Sequence, residues 1–130
     1  MRIEFWADRE KRIPNPEIFS QKAAELSKKL AKDQRKNKRT QLRRFYDELL
    51  RLDQDARQQG EEKWPHILAR VHLLIPKAAY AERRGLVSKE FVEFIKSSVL
   101  QTKTKEDLGV FATLFEAIMG FYNQDRPRDN

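Results

Sequence analysis

Apolar residues recur every three or four positions along almost the whole chain, and this spacing constrains the fold more than any other feature. Because an α-helix has about 3.6 residues per turn, such spacing places the apolar side chains on one helix face that packs against a core. No run alternates with period two except Met1–Trp6, which is too short to support a strand prediction. The sequence therefore predicts an all-α fold, a single compact bundle of about five helices with no sheet.

Cap and turn residues divide this pattern into five predicted helices. The start signals in chain order are Asn15–Pro16, Thr40, Pro65, Ser88 and the capping-box sequence Thr104–Asp107. Gly60 and Gly85 are the stop signals of the second and third helices. Pro76 lies inside the third helix, where its missing N–H predicts a kink or a break. Gly109 and Gly120 lie inside the fifth helix, where each costs about 1 kcal/mol relative to alanine.

The chain length of 130 residues is typical of one domain. We expect an N-terminal extension over residues 1–14, a helical bundle domain over 15–122 and a polar C-terminal tail over 123–130. The sequence has no cysteine, which excludes disulfides and thiolate metal sites, and no apolar stretch of about 18 residues. Its first residues lack the apolar core of a secretory signal, so we expect a cytoplasmic protein with no membrane partner.

Basic residues are concentrated in one segment of the chain. The whole sequence has 27 Lys and Arg against 20 Asp and Glu, a net charge of +7. Within Lys28–Arg44 there are nine basic residues and one acid, so this segment carries +8 and the remainder −1. Such an excess predicts binding to a polyanion, because each neutralised phosphate releases condensed counterions. The other interpretation is a solvated helix face and a disordered basic loop. Because Gln34–Arg39 has no apolar residue, we expect it to form an exposed loop.

No pattern in the sequence indicates catalysis. His66 and His72 are six residues apart and do not share a helix face as metal ligands four apart do. A metal-dependent nuclease is a third hypothesis, based on Asp47 and Asp53 of the second helix. Several acids there lie four residues after an arginine, which is typical of ion pairs within a helix. These predicted pairs are Arg43–Asp47, Arg44–Glu48 and Arg51–Asp55. We therefore expect no enzyme, no catalytic or metal-binding residue and no cofactor.

A second basic group lies near the end of the third predicted helix. It consists of Lys77, Arg83, Arg84 and Lys89. These cations are explained equally well by a favourable interaction with a helix C-terminus and by a binding role. The sequence shows no surface row of aromatic residues that would stack unpaired bases, so contacts are predicted to favour the sugar–phosphate backbone.

Three segments carry a family resemblance: Lys38–Tyr46 (KRTQLRRFY), Leu74–Arg84 (LIPKAAYAERR) and Phe111–Ile118 (FATLFEAI). In this order they resemble the small helical subunit of the type III-A CRISPR effector, the Csm complex, and the likeness spans residues 28–122. The resemblance implies a non-catalytic five-helix bundle that stacks as a short filament along the duplex of guide RNA and target RNA. It implies RNA contacts at Lys38, Arg39, Gln41, Arg43, Lys77 and Arg84. The charge pattern alone adds Lys36 and Arg44.

The leading hypothesis is thus a non-catalytic RNA-binding subunit of a ribonucleoprotein effector that supports antiviral defence. The implied partners are guide RNA, target RNA, the other effector subunits and further copies of this chain in a filament or dimer. The alternative is a helical protein-interaction adaptor whose basic loop docks an acidic partner.

Overall fold

Six α-helices follow a short N-terminal hairpin in the computed structural model, which describes residues 2–128. The hairpin pairs β1 (Trp6–Asp8) with β2 (Ile13–Pro14) in antiparallel fashion, and a 3-10 turn at Pro16–Phe19 leads into the first helix. The helices are α1 (Gln21–Ala31), α2 (Arg39–Gln58), α3 (Trp64–His72), α4 (Leu74–Arg83), α5 (Lys89–Gln101) and α6 (Lys105–Asp125). The helical-bundle prediction is confirmed, and this small hairpin is the departure from a fold without a sheet.

The third predicted helix is divided into α3 and α4 at Leu73. Pro76 is the third residue of α4 and has no N–H to donate to the His72 carbonyl one turn earlier. The predicted kink or break is therefore confirmed, and it lies one turn before the proline. The remainder of the expected five-helix pattern is preserved, with α3 and α4 as two halves of one unit.

The helix caps agree with the sequence at most positions. The Ser88 hydroxyl accepts a hydrogen bond from the Phe91 N–H at the start of α5. Thr104 and Asp107 form a capping box at the start of α6. The prediction that Thr40 caps the second helix is wrong, because α2 begins at Arg39 and the residue before it occupies the cap position.

The core lies where α6 packs against α1 and α2, and α4 packs against α5. Its aromatic centre consists of Phe91, Phe94, Phe111 and Phe115, and the centroids of paired rings lie 5.4 to 6.3 Å apart. Phe5 is fully buried and its ring lies 6.2 Å from that of Phe111. The N-terminal segment thus contributes side chains to the same core.

The domain bounds 15–122 stay a prediction, although described residues on both sides of them pack against the bundle. Ile3 and Phe5 are buried before residue 15, and Arg126 is buried beyond residue 122. Met1, Asp129 and Asn130 of the two predicted terminal segments lie outside the described residues.

A fully buried carboxylate, Asp107, joins the hairpin to the bundle. It accepts hydrogen bonds from Trp6 Nε1 at 2.7 Å and Arg9 Nη1 at 2.9 Å. It also accepts from the backbone N–H groups of Lys103 at 2.8 Å and Thr104 at 3.0 Å. Burial acts to raise the pKa of Asp107, but these hydrogen bonds outweigh it and hold the pKa below its ordinary value of 3.8. The group is therefore an ionised structural anchor.

Candidate nucleic-acid interface

The predicted basic loop, Gln34–Arg39, folds tightly around a buried asparagine and is hereafter called the basic corner. Asn37 is fully buried and has a positive φ of 59°. Its side-chain Nδ2 donates to the Leu30 carbonyl at 3.1 Å and to Ser88 Oγ at 2.8 Å, while Oδ1 accepts from the Ser88 N–H at 2.9 Å. Its backbone N–H donates to the Leu86 carbonyl at 3.0 Å, and its carbonyl accepts from the Tyr122 hydroxyl at 2.6 Å. The expectation of an exposed loop is wrong at this residue, because its polar groups are satisfied inside the protein.

A C-terminal arginine fixes the same corner from the other side. Arg126 is 6% exposed, and its guanidinium donates to the carbonyls of Asp33 at 3.1 Å, Gln34 at 2.7 Å and Lys36. Within the four-residue stretch 33–36, three backbone carbonyls therefore point into the protein toward this guanidinium. The corner presents its lysine and arginine side chains from an ordered backbone.

Four of the eight predicted RNA-contacting residues meet in one groove between α2 and α4. They are Gln41, Arg44, Lys77 and Arg84. The groove has a volume of about 270 Å³ and an apolar floor. Its remaining lining residues are Phe45, Glu48, Leu74, Tyr80, Ala81 and Leu86.

Helical spacing explains why these residues share the groove. On α2, Gln41, Arg44 and Phe45 are three and four residues apart and lie on one face. Lys77 lies on α4 and Arg84, seven residues later, is the cap residue at the C-terminal end of that helix, so both line the side turned toward α2. The structure thus brings together residues that are distant in sequence.

The other four predicted residues do not line the groove and lie in or next to the basic corner; they are Lys36, Lys38, Arg39 and Arg43. Lys38 is exposed at the cap position of α2, and Arg43 is exposed on that helix. Arg39 Nη1 donates to the Pro127 carbonyl at 2.7 Å, so part of its guanidinium is used within the protein. Lys36 is partly buried, with its carbonyl bonded to Arg126.

None of the three ion pairs predicted within α2 is formed among residues 2–128. Glu48 pairs with Arg51, three residues further along the helix, at 2.7 Å instead of with Arg44. Asp55 pairs with Arg70 of α3 at 3.1 Å instead of with Arg51. Across residues 2–128 no ion pair joins Arg43 to Asp47. The charge of Arg44 is thus directed into the groove without an ion-pair partner among the described residues.

Comparison with known proteins decides the family. A family model described as Csm2 Type III-A matches residues 14–127, which is most of the chain. The chain belongs to the Csm2 family. The resemblance carried by the three sequence segments is confirmed, and this Csm2-family chain is a small subunit of a type III-A CRISPR effector that contains other Csm subunits. No curated protein and no solved structure gives a significant match.

Sequence reasoning about this Csm2-family chain did not select Tyr80 as a residue of the candidate interface. Tyr80 is 64% exposed, and the guanidinium carbon of Arg84 lies 5.6 Å from its ring centroid. The sequence did hold a signal, since Tyr80 falls outside the apolar stripe of α4 that buries Leu74, Ala78 and Ala81. An aromatic residue off the buried stripe and flanked by cations is a candidate contact.

The residues considered for metal binding are not brought together. His66 and His72 are both exposed, and Asp53 pairs with Arg57 at 3.2 Å. Over residues 2–128, no three His, Asp or Glu side chains lie close enough to hold a metal ion. None of the helices in the same range has the length and apolar content that crossing a bilayer requires.

Proposed function

We propose that this Csm2-family chain is a non-catalytic RNA-binding subunit that lies along the duplex of guide RNA and target RNA and contacts its sugar–phosphate backbone. In this role it supports the antiviral defence carried out by the effector in the cytoplasm. The observation that carries the proposal is the meeting of Gln41, Arg44, Lys77 and Arg84 in one groove.

The chemistry of the groove suits phosphate and sugar oxygens. Arg44 and Arg84 carry planar guanidinium groups, which donate two parallel hydrogen bonds to a phosphate, and Lys77 adds a compact positive charge. The Gln41 amide can donate to a sugar hydroxyl. Glu48, the acid of the groove lining, is already paired with Arg51. Four groups of this kind bind a backbone without reading base edges.

The basic corner extends the same interface beyond the groove. Lys36, Lys38, Arg39 and Arg43 surround the start of α2, where the positive end of the helix dipole adds to their charge. These side chains strengthen attraction to phosphates through counterion release. We assign the chain no catalytic residue, metal or cofactor, since backbone binding of this kind requires none. Self-association into a filament or dimer stays a prediction.

The test is the salt dependence of binding to a fully paired RNA duplex, followed by fluorescence anisotropy. We expect the free chain to bind with a dissociation constant of about 10⁻⁴–10⁻⁶ M, the range of non-specific binding. The double variant Arg44→Ala/Lys77→Ala should bind more weakly for every sequence tested. It should also reduce the slope of log affinity against log salt by about 2, one unit for each lost phosphate contact.

The matched control is Lys63→Ala/Lys96→Ala, which removes the same charge at exposed residues that do not line the groove. Equal losses in the two double variants would contradict a specific role for the groove. An absence of RNA binding by the wild-type chain at low salt would favour the protein-interaction adaptor. RNA cleavage that is abolished by Asp47→Ala would overturn the non-catalytic assignment.

A further inference from the structure

Tyr80 presents an aromatic ring at the edge of the groove. Among the large apolar side chains of residues 2–128, it is the most exposed at 64%. The other two tyrosines are packed inward, with Tyr122 fully buried and Tyr46 against Phe115 at 5.5 Å between ring centroids. The guanidinium of Arg84 lies over the Tyr80 ring, with its carbon 5.6 Å from the ring centroid, and the large exposed fraction leaves the remaining ring surface open to a ligand.

The groove next to this ring is apolar at its floor and small in volume. Phe45, Leu74, Ala81 and Leu86 supply the apolar lining. Pockets for drug-sized ligands occupy about 300–1,000 Å³, so a groove of about 270 Å³ suits a flat group the size of one nucleobase.

The rim of the groove is cationic. Arg44, Lys77 and Arg84 all line it, and Lys77 and Arg84 lie three residues before and four residues after Tyr80. The carboxylate of Glu48 is neutralised by Arg51 at 2.7 Å. A complementary occupant therefore carries a flat apolar face beside an anionic group. A nucleotide whose base has left the helical stack has this chemistry, whereas the bases of a fully paired duplex stack on one another and present no free face.

We propose that the groove accepts one unpaired RNA base, stacked on the Tyr80 ring, with the adjoining phosphate held by Lys77 and Arg84. This inference rests on the proposed function and makes it more specific. The subunit recognises a local defect in the duplex as well as its backbone. Such recognition is independent of base identity, since every base has a face that stacks on an aromatic ring.

The probe is an RNA duplex with a single unpaired 2-aminopurine nucleotide, compared with the same duplex without it. We expect the full-length chain to bind the bulged duplex roughly 5- to 150-fold more tightly, the range of one base–aromatic stack. Stacking on Tyr80 should also quench the 2-aminopurine fluorescence. Tyr80→Ala should remove both the preference and the quenching, whereas Tyr80→Phe keeps the ring and should retain both.

Leu100→Ala is the matched control, because Leu100 is exposed to a similar degree and lies outside the groove. It should leave the preference for the bulged duplex intact. A chain that binds both duplexes equally, with the expected salt dependence, would overturn this inference and leave the proposed function standing. Failure to bind either duplex would instead remove the proposed function. Displacement of the bulged duplex by equimolar adenosine monophosphate would contradict the assignment to an RNA strand, because it would identify a site for free nucleotide.

Discussion

Asn37 links the charge of the basic segment to a defined backbone. Its positive φ of 59° is a conformation that asparagine tolerates better than most residues. Its side chain bonds to α5 through Ser88 and to the end of α1 through Leu30. Lys36 and Lys38 lie on either side of it, so this buried residue sets the direction in which the two lysines leave the protein surface.

Replacing Asn37 tests this role at the level of one side chain. We expect Asn37→Ala to lower the free energy of unfolding by about 2–4 kcal/mol, because it leaves buried donors and acceptors of Ser88 and Leu30 without partners. Asn37→Gly loses the same hydrogen bonds but accepts a positive φ, so its loss should be smaller by about 1 kcal/mol. Urea denaturation monitored by circular dichroism gives both values. A loss below about 0.5 kcal/mol in the alanine variant would show that the hydrogen bonds contribute little.

Buried polar residues of this kind are the part of the interface that sequence reasoning describes least well. Apolar spacing identifies core positions by their hydrophobicity, and it therefore assigns Asn37 to the solvent. Arg126 is misjudged for the same reason, since it is a buried cation in a segment predicted as a polar tail. Their partners lie far away in sequence, and only the fold brings those partners within hydrogen-bonding distance.

At the scale of single elements, the end of α4 determines how that helix meets the basic corner. The Gly85 N–H donates to the Glu82 carbonyl and the Leu86 N–H to the Ala81 carbonyl, both at 2.9 Å, which is a Schellman ending. Gly85 has a φ of 75°. Leu86 then lines the groove and offers its carbonyl to Asn37. One helix ending thus connects the groove with the corner.

Two glycine substitutions should have opposite effects on stability. Gly85→Ala is expected to cost about 1 kcal/mol, because the position needs a positive φ although a Cβ would meet nothing within 4 Å. Gly120 lies inside α6 with equally open surroundings and no positive φ, so Gly120→Ala should stabilise the protein by about 1 kcal/mol. Thermal unfolding of the two variants measures this. A stabilised Gly85→Ala variant would refute the role of the helix ending.

Most helices and several of their ends could be predicted because local rules determine them. Periodicity, Pro65, Gly85 and the capping box each act within a few residues of chain. Thr40 was assigned wrongly, since the cap of α2 is Lys38, two residues earlier, directly after Asn37, which is held by contacts with distant elements. The alignment of α2 with α4 could not be read from either helix alone, and that alignment creates the groove.

At the scale of the whole molecule, Asp107 ties the two ends of the chain together. Trp6 and Arg9 of the N-terminal hairpin reach this carboxylate in the first turn of the last helix. Gln101 reinforces the junction by accepting from the Phe5 N–H at 3.0 Å and donating to the Ile3 carbonyl at 2.7 Å. The hairpin is therefore part of the folded unit.

This junction predicts a pH dependence of stability. The folded-state pKa of Asp107 lies below its ordinary value of 3.8, so the ionised group stabilises the protein fully above that value. The contribution is lost as the pH falls through the lower folded-state pKa. Asp107→Asn should cost about 1.5–3 kcal/mol at pH 7, the value of hydrogen bonds to a charged group. The difference in the free energy of unfolding between wild type and Asp107→Asn should shrink below pH 3.8.

Urea denaturation of both proteins from pH 7 to pH 3 measures that difference. Glu106→Gln is a suitable control, since it neutralises an exposed neighbour in the same helical turn. A difference between wild type and Asp107→Asn that stays constant across this pH range would contradict the role assigned to the carboxylate.

The packing of α1 against α6 also affects how the chain acquires its structure during synthesis. The Ser27 hydroxyl donates a hydrogen bond to Asp125 at 2.6 Å across 98 residues of sequence. Phe5 likewise contacts Gln101 and Phe111, which are made late in synthesis. Contacts between distant residues require loop closure before they stabilise anything, so they slow folding relative to bundles with local contacts. On the ribosome, the first helix emerges with its apolar face uncovered. Before the last helix has left the exit tunnel, mainly the 3-10 turn and α5 are available to cover part of this face.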